Sequence, residues 1–256
     1  MTVRRPLIAG NWKMHNTLAD ARQLVSALLE GIDRVKGVDV LICPSFTNLF
    51  PMAKSIAGTR IMMGAQNVHE AEKGAFTGEI SAAMIKDTGC THVIVGHSER
   101  RHVFGETSDR LGKKVRAVVD AGLIAIYCVG ETLDDRDSGR TYDIVDRQLG
   151  DVLGEGVDPE RVVVAYEPVW AIGTGVNATP EQAQEVHEFI RGRLGDIYDP
   201  KTASATRILY GGSVKPANAA GLLSEADIDG ALVGGACLVA EDFLAIISAA
   251  AARVVA

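Results

Sequence analysis

Residues 162–194 read VVVAYEPVWAIGTGVNATPEQAQEVHEFIRGRL and contain a short apolar run, a loop and a helical pattern. The apolar run, Val162–Tyr166, is continuous rather than alternating, which is typical of a strand buried on both faces of a parallel sheet. After the loop, Thr179 can cap a helix, Pro180 suits its first position and Gln182 completes a capping box. One apolar stripe follows, formed by Ala183, Val186, Ile190 and Leu194. This stretch therefore predicts a strand followed by a helix.

The same alternation extends along the whole chain. Seven further apolar runs are predicted to be strands, at residues 7–10, 38–43, 61–65, 92–96, 123–129, 207–211 and 231–234. A second clear helical segment covers residues 17–31, with Leu18, Ala21, Val25 and Leu28 on one face and Gly31 at its end. Eight strand–helix units in 256 residues favour an α/β fold, a closed (β/α)8 barrel, with residues 1–256 forming a single domain. A doubly wound open sheet is the alternative that periodicity does not exclude.

Composition limits the classes of partner. The chain is 47% hydrophobic and 23% charged, as is usual for soluble globular proteins. A formal net charge of −7 opposes binding to nucleic acid or to anionic membranes, so any anionic ligand needs a local site. Neither a membrane span nor a signal peptide is expected. The four cysteines lack a metal-type spacing, which favours a reducing, cytoplasmic environment.

Polar residues stand where the predicted strands end. In a parallel barrel the active site forms at the carboxyl ends of the strands, so these residues are the candidates for function. They are Asn11 and Lys13 after the first strand, His97 and Glu99 after the fourth, Glu167 after the sixth, Ser213 after the seventh, and Gly234 and Gly235 at the eighth. The first strand is followed by NWKM instead of a GxGxxG motif, which argues against a dinucleotide-binding fold.

Each of these residues has a chemical and an ordinary interpretation. A partly desolvated carboxylate at Glu167 suits a general base, although most glutamates at strand ends are simply solvated. The start of a helix near Ser98 would favour a neutral imidazole at His97, although a lone histidine is more often structural. Two glycine pairs after the last strands suit a phosphate cradle, or only tight turns. An apolar loop at residues 168–176 is natural for a lid that excludes water.

Five motifs in order resemble the triosephosphate isomerase family over essentially the full chain: NWKM at 11–14, GHSERR at 96–101, AYEPVWAIGTG at 165–175, YGGSV at 210–214 and GALVGGA at 230–236. The resemblance implies an isomerase of glycolysis and gluconeogenesis that interconverts dihydroxyacetone phosphate and D-glyceraldehyde 3-phosphate. It also implies that no metal or organic cofactor takes part.

Residue roles follow from the same resemblance. It implies that Glu167 is the base and His97 the electrophile, and in that family the glutamate works with a neutral histidine. Lys13 is similar to the cation that stabilises the enediolate and the phosphate, with Asn11 beside it and Glu99 in contact with it. The backbone at Gly173, Ser213, Gly234 and Gly235 resembles the phosphate grip, and Cys128 is expected to give packing support.

The resemblance also concerns assembly and competing functions. Residues 66–79 resemble a loop that reaches into a partner's active site, so a homodimer formed through the loop around Thr77 is expected. The chain departs from the family's common pattern at Val176–Asn177, behind the lid, and at Cys237. A cysteine at position 237 raises the expected sensitivity of the protein to oxidation. A non-catalytic phosphosugar-binding barrel protein and an isomerase of another phosphorylated sugar are the alternatives.

Overall fold

Eight parallel strands form a closed barrel in chain order. The computed structural model describes residues 4–172 and 178–255. The strands are β1 (Leu7–Asn11), β2 (Asp39–Cys43), β3 (Ile61–Ala65), β4 (His92–Val95), β5 (Ile124–Val129), β6 (Val162–Tyr166), β7 (Ile208–Tyr210) and β8 (Gly230–Val233). Because β8 pairs with β1, with Leu7 opposite Gly230, the sheet has no free edge. The predicted barrel is confirmed, and the open sheet is wrong; the single domain over 1–256 stays a prediction.

Helices follow the strands around the outside of the barrel. Within the described residues they are α1 (Leu18–Ile32), α2 (Phe46–Ser55), α3 (Ala82–Asp87), α4 (Ser98–His102), α5 (Ser108–Asp120), α6 (Leu133–Asp137), α7 (Thr141–Gly150), α8 (Pro180–Ile197), α9 (Pro200–Ala205), α10 (Pro216–Ser224) and α11 (Ala240–Val255). None of the helices in this part of the chain is long and apolar enough to cross a membrane.

The two predicted helices are confirmed with small differences. Thr179 caps α8 and forms a capping box with Gln182, and the predicted apolar stripe of α8 is buried. In α1 the capping box uses Thr17, and the helix ends at Ile32 rather than at Gly31. Leu18 is 39% exposed and does not belong to the buried face, which includes Leu24 instead. Position 18 is the first residue of the helix, and the buried face begins at Ala21.

Apolar side chains are buried on both faces of the strands. One cluster fills the barrel interior and includes Leu41, Ile94, Ile126 and Leu209. A larger cluster lies between the strands and the helices. This double burial explains why the predicted strands are continuous apolar runs. It also leaves the rim at the carboxyl ends of the strands as the place where polar side chains can gather.

Candidate active site

A cavity of about 430 Å³ opens at the carboxyl ends of the strands. Six of the predicted site residues border it: Asn11, Lys13, His97, Ser213, Gly234 and Gly235. Glu99 borders a neighbouring cavity of about 250 Å³, which shares Lys13 and His97 with the first. Glu167 lies behind His97 and borders neither of these cavities. Gly173 falls outside the described residues.

Lys13 is held in a left-handed backbone conformation, with φ of 51°. This conformation is uncommon for a residue with a side chain and requires support from its surroundings. The Oδ1 atom of Asn11 accepts a hydrogen bond from the Lys13 N–H at 3.0 Å, and Nε2 of Gln66 donates to the Lys13 carbonyl at 2.8 Å. The Lys13 ammonium donates to Oε1 of Glu99 at 2.6 Å. The backbone and the charged end of Lys13 are therefore both fixed.

Gln66 is a site residue that the sequence analysis missed. It follows β3 directly and also donates to the carbonyl of Cys43, at 2.9 Å, so one amide group links the ends of two neighbouring strands to Lys13. Its position immediately after a strand was the available signal. Residues 66–79 were predicted to form the loop that reaches a partner, and no separate role was predicted for the Gln66 amide.

His97 and Glu167 are in contact. Nε2 of His97 lies 2.9 Å from Oε1 of Glu167. The ring N–H is not directed well enough for a hydrogen bond, and within the described residues Oε1 has no hydrogen-bond partner. The backbone N–H of Ser98 donates to the other carboxylate oxygen, Oε2, at 2.9 Å. Nδ1 of His97 accepts from the N–H of Glu99 at 3.2 Å. In the neutral imidazole the proton therefore lies on Nε2.

The two groups shift each other's pKa in opposite directions. Burial raises the pKa of Glu167, but His97 and the Ser98 N–H lower it more, and the result is below its usual value. Burial lowers the pKa of His97, but the carboxylates of Glu167 and Glu99 raise it above its usual value. This is opposite to the effect expected from the helix start. The reason is that α4 has only five residues, whereas the Glu167 carboxylate is in direct contact.

The two glycine pairs at the rim, Gly211–Gly212 and Gly234–Gly235, have different surroundings. A Cβ atom at Gly211 would lie 2.8 Å from Cγ of Glu167, and one at Gly212 would lie 2.3 Å from the Tyr210 hydroxyl. Gly235 has no atom within 4 Å of its Cβ position and begins a short 3-10 helix, Gly235–Leu238. A side chain at position 235 would therefore meet open space, and both Gly234 and Gly235 border the main cavity.

The beginning of the predicted lid is anchored by Glu131. This buried carboxylate accepts a hydrogen bond from Nε1 of Trp170 at 2.9 Å and from the Tyr166 hydroxyl at 3.0 Å. The Arg136 guanidinium lies 4.7 Å from the centre of the Trp170 ring. Ile172 borders the main cavity. Residues 173–177, with the predicted phosphate contact of Gly173 and the Val176–Asn177 departure, lie outside the described residues.

The cysteines are all free and buried. Burial raises the pKa of Cys128 and raises that of Cys237 to about 12, so the reactive thiolate is scarce at neutral pH. This argues against the sensitivity to oxidation that the sequence analysis attached to Cys237. In the described ranges no group of three His, Cys, Asp or Glu side chains is arranged to hold a metal ion.

The fold is that of the (β/α)8-barrel proteins, with a cavity bordered by charged and polar side chains at the carboxyl ends of the strands. A family model described as triosephosphate isomerase matches residues 6–250, and the chain belongs to that family. A triosephosphate isomerase of Syntrophotalea carbinolica is 52% identical over 96% of this chain and 98% of its own length. One of Roseiflexus castenholzii is 52% identical over 96% and 97%. The crystal structure of triosephosphate isomerase from Bartonella henselae matches with a TM-score of 0.88 and 43% identity, over 96% of this chain and 98% of that one.

Proposed function

We propose that this chain is the isomerase that interconverts dihydroxyacetone phosphate and D-glyceraldehyde 3-phosphate, with Glu167 as the base. The observation that carries the proposal is that His97 and Lys13 border one cavity and that Glu167 lies directly behind His97, 2.9 Å from its Nε2 atom, within a family of isomerases. The reaction belongs to glycolysis and gluconeogenesis. Free, buried cysteines support a cytoplasmic location. The non-catalytic alternative is not favoured, because the matching family model and the similar proteins are described as triosephosphate isomerases.

The proposed reaction moves one proton between two adjacent carbons. The Glu167 carboxylate takes the proton from the carbon next to the carbonyl, and the C–H electron pair moves toward the carbonyl oxygen to form an enediolate. His97 Nε2–H donates to that oxygen, while the Lys13 ammonium stabilises the negative charge. His97 gives its Nε2 proton to the former carbonyl oxygen and takes the proton of the neighbouring hydroxyl group. Glu167 returns its proton to the carbon that carried the carbonyl, so that the new carbonyl lies on the carbon that lost the proton. Because the Glu167 side chain is only 2% exposed, it must turn away from Ser98 to reach a substrate.

The phosphate of the substrate is placed at the glycine-rich rim. Gly234 and Gly235 present backbone at the start of a short helix, and Ser213 borders the same cavity. The resemblance to the family adds the backbone of Gly173 as a fourth phosphate contact. Lys13 lies beside this rim, because a Cβ atom at Gly234 would be 3.4 Å from its Cε. One cation can therefore stabilise both the phosphate and the enediolate.

A coupled assay in both directions tests the proposal. Each triose phosphate is offered separately, and formation of the other is followed by an auxiliary dehydrogenase. We expect turnover in both directions without added metal, including in the presence of a chelator. Binding of either triose phosphate without turnover would support the non-catalytic phosphosugar-binding protein instead.

We further propose that the chain forms a homodimer through the loop around Thr77. Large apolar side chains that border the second cavity are exposed, namely Met14, Phe46 and Phe104, and Phe76 is exposed on the loop itself. Met14 is 95% exposed, although it is the next residue after Lys13. The second cavity of about 250 Å³ has a size that suits a short loop tip. A partner's loop in this cavity would cover apolar surface and the outer side of Lys13 and Glu99.

Replacing Thr77 with arginine should weaken the dimer and lower activity together. Thr77 is exposed in one chain, so the substitution is expected to be tolerated by the fold itself. In the proposed dimer it would place an unpaired charge in a buried contact, which commonly costs about 3 to 5 kcal/mol. Sedimentation velocity and the coupled assay, run on the same concentration series, measure both effects. Thr59→Arg, on a loop remote from these cavities, is the control; a fully active wild-type monomer would contradict the proposal.

A further inference from the structure

The backbone of Gly130, just after β5, lies directly against the backbone of Glu167. A Cβ atom at Gly130 would be 1.8 Å from the carbonyl oxygen of Glu167, so only glycine fits there. Two hydrogen bonds flank this contact. The Glu167 N–H donates to the Val129 carbonyl at 2.7 Å, and the Val169 N–H donates to the Glu131 carbonyl at 3.0 Å. The position of Glu167 therefore depends on the position of residues 129–131.

The N–H and C=O groups of Gly130 point away from the segment that contains Glu167. Along an extended chain, the N–H and C=O groups of successive residues point to opposite sides. Since Val129 and Glu131 bond to the segment after β6, the groups of Gly130 point to the side of β4. That strand ends at Val95, and the chain turns into α4 at Ser98. Among residues 4–172 and 178–255, no strand lies at this level to pair with Gly130, and a buried, unpaired peptide group is costly.

Gln148, on α7, takes the place of the missing strand. Its Oε1 atom accepts a hydrogen bond from the Gly130 N–H at 2.7 Å, and its Nε2 atom donates to the Gly130 carbonyl at 3.1 Å. The side chain is buried, and its own carbonyl accepts from the Tyr127 hydroxyl at 2.6 Å. Arg101 in turn donates to that hydroxyl at 2.8 Å. The side-chain amide of Gln148 therefore binds both main-chain polar groups of one residue, Gly130.

We infer that Gln148 is a positioning residue for Glu167 and acts through Gly130. It touches neither cavity, so its role is to hold the main chain against which Glu167 rests. The same clamp stabilises Glu131, the next residue, which holds Trp170 at the beginning of the predicted lid. This inference rests on the proposed role of Glu167 as the base.

Gln148→Met tests the clamp, because methionine has a similar shape and volume but makes neither hydrogen bond. We expect kcat to fall by about ten- to a hundredfold, because a small displacement of a reacting group has effects of that size. KM should change little, because the phosphate-binding rim at Ser213 and Gly235 is not involved. In Gln148→Glu, measured at a pH at which the new carboxyl group is ionised, the carboxylate can still accept from the Gly130 N–H but cannot donate to its carbonyl. Its kcat should lie between those of the wild type and Gln148→Met.

Leu149→Ala is the matched control for a purely structural effect. Leu149 is the next residue of α7 and is fully buried. Its side chain is apolar and forms no hydrogen bond with Gly130. Its truncation should lower the melting temperature at least as much as Gln148→Met does, while kcat stays near the wild-type value. Wild-type kcat in Gln148→Met, or a loss of kcat that follows the melting temperature in all three variants, would overturn the inference. If Gln148→Met does not fold, wild-type kcat in Gln148→Glu would overturn it. A wild type without turnover would refute the proposed function itself.

Discussion

Lys13→Met should abolish measurable isomerisation. The chain carries a net charge of −7, so a dianionic substrate depends on local donors for its attraction to the site. Loss of one preorganised donor commonly costs about 3 to 4 kcal/mol of transition-state stabilisation, and loss of phosphate binding adds to it. Both kcat and kcat/KM should fall, which the coupled assay measures at saturating and at low substrate. The backbone of residue 13 should keep its conformation, because Asn11 and Gln66 hold it through main-chain groups.

Lys215→Met is the control for a general charge effect. Lys215 borders the same cavity as Lys13, and its replacement removes the same charge from the rim. If the fixed position of Lys13 is what matters, Lys215→Met should have a much smaller effect and should act mainly on KM. Equal losses in the two variants would mean that the charge of the rim, rather than the Lys13 contact, supports activity.

The strands and helices could be predicted because the sequence signals for each of them lie within a few neighbouring residues. The capping box of Thr179 and Gln182 fixes the beginning of α8 through contacts three residues apart. The continuous apolar runs report burial on both faces, which only a layer of helices around a parallel sheet provides. The end of α1 was displaced by one residue, because a helix end depends on packing as well as on Gly31.

Contacts between distant segments were not predictable in the same way. Gln66 holds Lys13 from 53 residues away, and Gln148 holds Gly130 from 18 residues away. Both act through an amide that pairs with main chain, and glutamine at such a position has no local pattern. The orientation of Glu167 was missed for a similar reason. Strand-end position predicts that its side chain reaches the rim, but only the fold shows that it rests on Ser98 and His97.

Glu167→Gln should fold normally and lose turnover by about two to four decades, the usual effect of removing a positioned general base. The glutamine oxygen can still accept the hydrogen bond from the Ser98 N–H, so the local structure should be kept. The pKa of Glu167 lies below its usual value, and the carboxylate that the reaction needs is therefore present throughout the neutral range. An amide cannot take the proton at any of these pH values. Lowering or raising the pH should accordingly not restore kcat.

The decisive measurement for Glu167→Gln is kcat together with solvent deuterium incorporation into the substrate carbon. Both should fall together, because the same group removes and returns the proton. Glu185→Gln, an identical chemical change at an exposed position of α8, should leave both unchanged. The melting temperatures of the two variants should match that of the wild type closely enough to exclude unfolding as the cause. A kcat near the wild-type value in Glu167→Gln would show that another group is the base. In that case the contact of Glu167 with His97 would serve only to raise the pKa of the imidazole.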